Sequence, residues 1–454
     1  MKQHYYVGDI GNTVTPGPVA AVEVSRGAGR RHYKLRCQAC GETYEDDGRR
    51  LDCAGAHAPA LLTADYDGRE FEPDAGAEGI FRYRRWLPAL GAVRGSALPA
   101  VYHSERLSRL TRLPNLYVAF NGYWPEKGAR LETATFKDLE AYTALARLPQ
   151  TDDVLIVSSA GNTAAAFARA CSLNNRRCLI VVPECGLERM QFTEPVAPCV
   201  KIVSLVGFAD YFDAISLANR VARVAGFLSE GGVKNVARRD GLGLTMLVAA
   251  EALGRLPDYY FQAVGSGAGG IAVNEAARRL VADGRFGDAL PRLMLSQNLP
   301  FAPIYLSWKS GRRDLIPAEP EEGKRQILQI AAYVLSNRQP PYATRGGVYD
   351  VLTETGGDML AADNSETLSA SRLFAEAEGV EIDPAAGVAF ASLLKEANCG
   401  RIPRDAYVLL NVTGGGWGAR AAGKNFCPAR PDLQVNESEV HSEQVVEKIV
   451  ALFA

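Results

Sequence analysis

From about residue 80 onward, short runs of β-branched and apolar residues alternate with stretches of helical spacing. "DVLIVSSAGN" (153–162) precedes "TAAAFARACSLNN" (163–175), and "VKIVSLVG" (200–207) precedes "DYFDAISLANRVARVAG" (210–226). "RCLIVVP" (177–183) runs into a turn, and "YYFQAVGSGAGG" (259–270) leads into "IAVNEAARRLVADG" (271–284). This strand–turn–helix alternation predicts an α/β fold with largely parallel sheets. In such folds ligands bind in the turns at the carboxyl ends of strands. The last stretch, "SEQVVEKIVALFA" (442–454), has apolar residues at helical spacing and predicts a packed helix. No internal repeat is found.

The first seventy or so residues follow neither rhythm. "YKLRCQACGETYEDDGRRLDCAGAHAPALLTADYD" has short polar turns, three cysteines and no helical period, and predicts a small β-rich module. Residues 75–80, "AGAEGI", make the linker.

The 454 residues exceed one average domain and can bury a sizeable core. Hydrophobic residues make up 47% and charged residues 22%, ordinary globular values. The formal net charge is -2, without a basic or acidic block, which argues against nucleic-acid and membrane-surface partners. No apolar run approaches bilayer length, and "MKQHYYVGDIGNTVTPG" lacks the apolar core and cleavage site of a signal peptide. Most of the nine cysteines sit singly in apolar segments, as do Cys171, Cys178 and Cys199. Together these predict a cytoplasmic protein.

Four constellations carry chemistry. "SSAGNT" (158–163) joins a strand to a helix, so its amides and the helix dipole favour a carboxylate or phosphate. The alternative is an ordinary turn with Asn162 or Thr163 as N-cap. "GSGAGG" (265–270) lets the backbone approach a phosphate closely. It matches a dinucleotide fingerprint, but the next strand, "RLMLSQN", has Gln297 where a ribose-binding acid belongs. A loop for one isolated phosphate fits better, and a tight packing turn is the bland reading. "LLNVTGGGWGA" (409–419) brings a strand to Thr413 beside three glycines. Cys37, Cys40, Cys53 and His57 offer three thiolates and an imidazole, a tetrahedral set for a structural zinc. The second half is C-x-x-x-H, so a module that has kept its shape after losing its metal is the other reading. The five histidines (4, 32, 57, 103 and 441) form no H-E-x-x-H cluster, which argues against a catalytic metal or a Ser-His-Asp triad.

The fifth feature is one lysine, Lys137 in "ETATFKDLEA", where a loop-like run turns into a helix. A helix-start lysine, an Asn turn, a Gly-rich phosphate loop and a late threonine, in this order, are what a pyridoxal phosphate enzyme needs. Lys137 would form the Schiff base and later move the α-proton, with burial lowering its pKa. Asn162 would bond the ring hydroxyl, Gly265, Ser266, Gly267, Ala268 and Gly269 would cradle the phosphate, and Thr413 would face the ring nitrogen. A hydroxyl there leaves the pyridine neutral, which suits β-elimination and replacement over transamination and racemisation.

On these stretches, and on "FNGYWPEKGA", "VVPECGLERM", "NVARRDG" and "GGVYDVLTETGG", the chain resembles the threonine synthase branch of the fold type II pyridoxal phosphate enzymes, the tryptophan synthase β-like fold. Within that branch it is most similar to the cysteate synthase group of coenzyme M biosynthesis in methanogens. The resemblance covers nearly all 454 residues. It implies a zinc-ribbon-like module at 1–75, a larger α/β domain from 80–130 and 245–454, and a smaller one at 131–244 carrying the lysine and the Asn turn. It also implies a homodimer, and O-phospho-L-serine and sulfite as substrates giving L-cysteate and phosphate. Ser159, Ala160, Gly161 and Thr163 would hold the substrate carboxylate, and Arg238, Arg239 and Lys127 are candidates for the second anion.

Two departures stand out. Threonine synthases usually carry S-F-K-D-R-G, where this chain has "TFKDLEA", and S-S-G-N-T, where Ala160 stands here for the second serine. Both point away from phosphohomoserine. The rival readings are a threonine synthase or another β-substituted alanine synthase, a silent ligand-binding relative, and a dinucleotide-dependent oxidoreductase.

Overall fold

The computed structural model describes residues 31–454; His4 and the first thirty residues of the expected module lie outside that range. Within 31–454 the alternating pattern has become two sheets. Phe227–Ser229, Val154–Ser158, Cys178–Pro183, Val200–Val206 and Leu433–Asn436 form a five-stranded sheet, paired in parallel throughout. Asp358–Ala362, Arg292–Asn298, Tyr259–Ala263, Tyr407–Val412, Asn115–Phe120 and Ala100–His103 form a six-stranded sheet, parallel except for the last pair. Central strands such as Cys178–Pro183 and Tyr259–Ala263 are buried at every position, because helices cover both faces.

Four helices frame the space between the sheets: Lys137–Arg147, Asn162–Leu173, Val236–Leu253 and Ala268–Asp283. All four are rich in alanine, which lets them lie close together. The extreme case is Gly241 of Val236–Leu253, where a Cβ would stand 2.5 Å from the Leu139 carbonyl oxygen of the lysine helix.

The N-terminal module is a three-stranded antiparallel sheet, with Tyr33–Cys37 between Thr43–Tyr44 and Leu62–Tyr66. Tyr33–Cys37 alternates buried and exposed residues, the period-2 signature of a half-covered strand. Buried polar contacts tie the module down: Arg147 donates to both oxygens of Asp46, and Tyr66 Oη donates to Asp240 at 2.7 Å.

Residue 244/245 falls inside the continuous helix Val236–Leu253, so no boundary lies there. Residues 433–454 do not join the larger sheet: Leu433–Asn436 pairs with Val200–Val206, and the helix Glu443–Ala451 packs Val445, Val446 and Ile449 with Leu217 and Val221. The helical spacing of "SEQVVEKIVALFA" specifies an apolar stripe, but not the sheet that receives it.

Candidate active site

Lys137 is the first residue of its helix, and tertiary contacts set its direction. Phe136 N donates to the Thr413 carbonyl at 3.0 Å, and Gly415 N donates to the Ala134 carbonyl at 3.0 Å. The loop before the lysine is thereby zipped to the glycine run that follows the strand Tyr407–Val412. Asp138 braces the same turn, accepting from Thr133 N at 3.0 Å and from the Thr133 hydroxyl. Burial pushes the Asp138 carboxyl up to about 6.

The Asn turn is built by Ser159. Its Oγ accepts from Gly161 N at 2.9 Å and Ala164 N at 3.0 Å, work that the ordinary-turn alternative gave to Asn162 or Thr163. Gly161 has φ 144°, and a Cβ there would lie 3.1 Å from Arg189 Cγ. Asn162 is left free to face the cavity, and its Oδ1 is buried without a partner. The Thr163 hydroxyl donates to Glu140 Oε1 at 2.8 Å, so its side chain points to that carboxylate.

The Gly-rich loop leaves the strand Tyr259–Ala263 and starts the helix Ala268–Asp283, with Gly267 as N-cap at φ 85°. A Cβ on Gly267 would meet Val348 Cγ2 at 2.0 Å, and one on Gly269 would meet Gln262 Nε2 at 2.2 Å. Among the described residues, no carbonyl accepts from the amides of Gly265, Ser266 or Gly267. Free amides at the positive end of a sixteen-residue helix suit a phosphate.

Lys137, Ser159 to Thr163, Gly265 to Gly269, Arg238 and Thr413 all line one cavity. A buried unpartnered amide oxygen, a free-amide loop, a threonine and a lysine are a donor set that fits pyridoxal phosphate. Two candidates are absent from the cavity lining. Arg239 is fully buried and bound to Glu275 and to the carbonyls of Val233 and Leu62; one step along a helix turns it about 100° from Arg238, toward the module. Lys127 sits over the rings of Tyr102 and Trp124, 4.8 and 5.7 Å from their centroids. Arg239 is therefore not a solvated surface charge, whereas Lys127 is exposed, and both lie outside the lining of this cavity.

Arg238 reaches the cavity, but two carboxylates hold it. Nε donates to Glu230 at 2.9 Å, the second amine pairs with the same carboxylate, and NH1 lies 3.1 Å from Glu140 Oε1. Glu140 also takes Lys137 Nζ at 3.1 Å. Burial pushes the Lys137 ammonium below its usual value, Glu140 works against that shift, and Arg238 adds to it. Burial pushes the Glu140 carboxyl up, but Arg238 and Lys137 outweigh it and hold the group below the usual range.

Sequence reasoning missed Glu140, Glu230 and Tyr211. Glu140 was legible as the i+3 neighbour of Lys137; the other two had no signal, because they arrive from separate elements. It also missed the buried polar network under the cavity. Asn411 donates to Tyr260 Oη at 2.7 Å and Gln262 Oε1 at 3.0 Å, and Asn121 donates to Asn411 at 2.8 Å. Gln297, noted for lacking a charge, is buried and accepts from Ile304 N and Tyr305 N at 2.8 and 3.0 Å.

In the module, ligand atoms of Cys37, Cys40, Cys53 and His57 all lie within 4.8 Å of one another. His57 Nδ1 is 2.7 Å from the Ala58 carbonyl, which leaves Nε2 toward Cys53 and Cys37 at 3.2 and 3.4 Å. Three thiols and a correctly turned imidazole fit a tetrahedral zinc with no open position.

Residues 104–414 match the family model described as pyridoxal-phosphate dependent enzyme. The chain is 46% identical over 418 residues to a cysteate synthase of Methanoculleus marisnigri, covering 92% of this chain and 96% of that one. It is 45% identical over 388 residues to a cysteate synthase of Methanosarcina barkeri, covering 85% and 92%. Among solved structures, a fungal L-serine ammonia-lyase from Rhizomucor miehei superposes with a TM-score of 0.56 at 16% identity, covering 70% of this chain and 94% of that one. Maize serine racemase gives 0.54 at 16% identity, covering 70% and 88%. The last two are likenesses of fold.

Proposed function

Because the chain belongs to the pyridoxal-phosphate dependent enzymes and, among them, to the cysteate synthase family, we propose that it exchanges the phosphate of O-phospho-L-serine for sulfite, giving L-cysteate and phosphate. The observation that carries this reading is the convergence of Lys137, Asn162, the 265–269 loop and Thr413 on one cavity.

Pyridoxal phosphate, when bound, draws electrons from the α-carbon of an attached amino acid, which lets a β-substituent leave and a nucleophile enter. The rest falls to the chain. Lys137 anchors the cofactor, then serves as the amine that removes the α-proton, a role favoured by its lowered pKa. Asn162 Oδ1 takes the ring hydroxyl as the partner it lacks within the protein. The amides of Gly265, Ser266 and Gly267 hold the cofactor phosphate, with the helix start at Ala268 and Gly269 behind them. Thr413 offers the ring nitrogen a hydroxyl, which leaves that nitrogen unprotonated. The backbone of Ser159 to Thr163 receives the substrate carboxylate; the Ser159 and Thr163 hydroxyls are engaged elsewhere, so the amides do this work.

The test is to supply O-phosphoserine with sulfite and, in parallel, O-phosphohomoserine alone, and to assay phosphate and the amino acid formed. Cysteate in the first mixture supports the reading. Threonine in the second makes it a threonine synthase, and the absence of both products rejects both substrates.

Family resemblance further supports a homodimer acting on small molecules in the cytoplasm, and nine free thiols suit a reducing compartment. We assign a structural zinc to the Cys37, Cys40, Cys53 and His57 cluster. We also propose two lobes: a larger one around the six-stranded sheet, and a smaller one around the five-stranded sheet with the Asn turn at its strand ends.

A further inference from the structure

Lys137 and Glu140 are three residues apart on one helical turn, so their side chains leave the same face. Their charged ends stand 3.1 Å apart, and the Glu140 side chain has no solvent exposure. The second Glu140 oxygen accepts from Thr163 Oγ1 at 2.8 Å and meets Arg238 NH1 at 3.1 Å. Arg238 is clamped from its far side by Glu230, itself buried. Four alternating charges therefore run from the cavity wall inward: Lys137, Glu140, Arg238, Glu230. Tyr211, at the start of the helix Tyr211–Val221, is the other titratable group that faces this chain from a neighbouring element.

A lone buried carboxylate would be protonated or driven outward. Glu140 is neither, because Arg238 and Thr163 hold it whatever Lys137 does, and Glu230 holds Arg238. The situation of Lys137 is the reverse. It opens a helix, where the dipole disfavours a cation, and it is desolvated. Among the described residues, Glu140 is the carboxylate that pairs with it.

We infer that Glu140 is the positioning residue of Lys137: it receives the ε-amine whenever that amine is free, and it stabilises the ammonium formed when Lys137 takes the α-proton. This rests on the proposed role of Lys137. In that step the α-carbon–hydrogen bond breaks, its electron pair stays on the substrate side, and an N–H bond forms on Nζ. Glu140 remains an anion throughout. The same geometry commits all three guanidinium nitrogens of Arg238 to Glu230 and Glu140, so Arg238 fixes Glu140.

The experiment uses the full chain stripped of cofactor. Trace acetylation across a pH series, read by mass spectrometry of the peptide bearing Lys137, gives the pH at which this amine loses its proton. Glu140→Gln is expected to move that point down by about 1–3 pH units, the span an adjacent opposite charge commands. Glu140→Asp, which draws the carboxylate back by one methylene, is expected to fall between Gln and wild type. Near-UV circular dichroism checks that each variant is folded. A Lys137 titration that is unchanged in folded Glu140→Gln overturns the inference. Should that variant not fold, Glu140→Asp carries the test, and an unshifted titration there overturns it equally. Because no substrate is present, the two readings fail separately. An unshifted titration with cysteate still formed rejects the role of Glu140 alone. A shifted titration without cysteate rejects the substrate alone.

Discussion

The amide of Phe136 donates to the carbonyl of Thr413 at 3.0 Å. One backbone bond thus joins the residue before the lysine to the threonine at the end of the strand Tyr407–Val412. Lys137 and Thr413 enter the same cavity because their loops are one structure, and predictions about either residue follow from that.

Lys137→Ala is expected to abolish turnover and the visible absorbance band of the loaded protein, the band that borohydride also removes. The fold should persist, since the bonds of Phe136 and Asp138 do not use the lysine side chain. Absorbance and phosphate release, with circular dichroism alongside, check this. A variant with normal activity would remove Lys137 from the chemistry.

Thr413→Asp is expected to shift the absorbance band toward a protonated ring and to slow replacement at least about tenfold, roughly 1.4 kcal/mol of barrier. A carboxylate there favours a proton on the nitrogen that a hydroxyl leaves bare. An unchanged spectrum and rate would exclude contact between Thr413 and the cofactor.

Gly267→Ala combines a left-handed backbone, φ 85°, with a Cβ placed 2.0 Å from Val348 Cγ2. The expected loss is about 1–3 kcal/mol of stability. A weaker hold on pyridoxal phosphate should accompany it, because the loop must move. Urea unfolding and cofactor titration measure the two effects.

Asp138 yields a pH prediction. Its carboxyl rises from 3.8 in the unfolded chain to about 6 in the fold, because it is desolvated. Between those values the folded state holds more protons, so rising pH works against folding there. Relative to Asp138→Asn, wild type should lose stability from pH 3.8 to about 6 and then level off, by about 3 kcal/mol at most. Urea midpoints of both proteins across that window test the sign. A difference that does not vary with pH would show that Asp138 titrates normally.

The Cys37, Cys40, Cys53 and His57 cluster should carry one zinc per chain, found by elemental analysis of purified protein. Cys53→Ser should release it and lower the melting temperature, as the ribbon loses the ion that joins its two ends. Metal-free protein with an unchanged melting temperature would mean that packing alone holds the module.

Much of the site was legible in the sequence because its parts are local. A Gly-rich turn after an apolar strand, as at 265–270, specifies a backbone that can approach an anion wherever the element ends up. Asn162 and Lys137 likewise open helices that their own neighbours encode. Arg238 and Arg239 were not separable in this way. They are adjacent in sequence, and only the packing of Val236–Leu253 against the lysine helix and the module sends one to Glu140 and the other to Glu275.

By itself the sequence determined the alternation of strands and helices, the β-rich module with its four metal-type ligands, and the order lysine, Asn turn, Gly loop, threonine. These depend on backbone preference and side-chain spacing over a few residues. Tertiary structure alone decided that the final strand and helix return to the five-stranded sheet, that Ser159 and not Asn162 caps its turn, and that Lys137 rests on a buried carboxylate. The first is a choice among distant partners of similar local fitness, and the other two are choices among near neighbours that packing from other elements settles. Such choices are made by what is left to cover an apolar stripe or to satisfy a buried charge once the chain has folded.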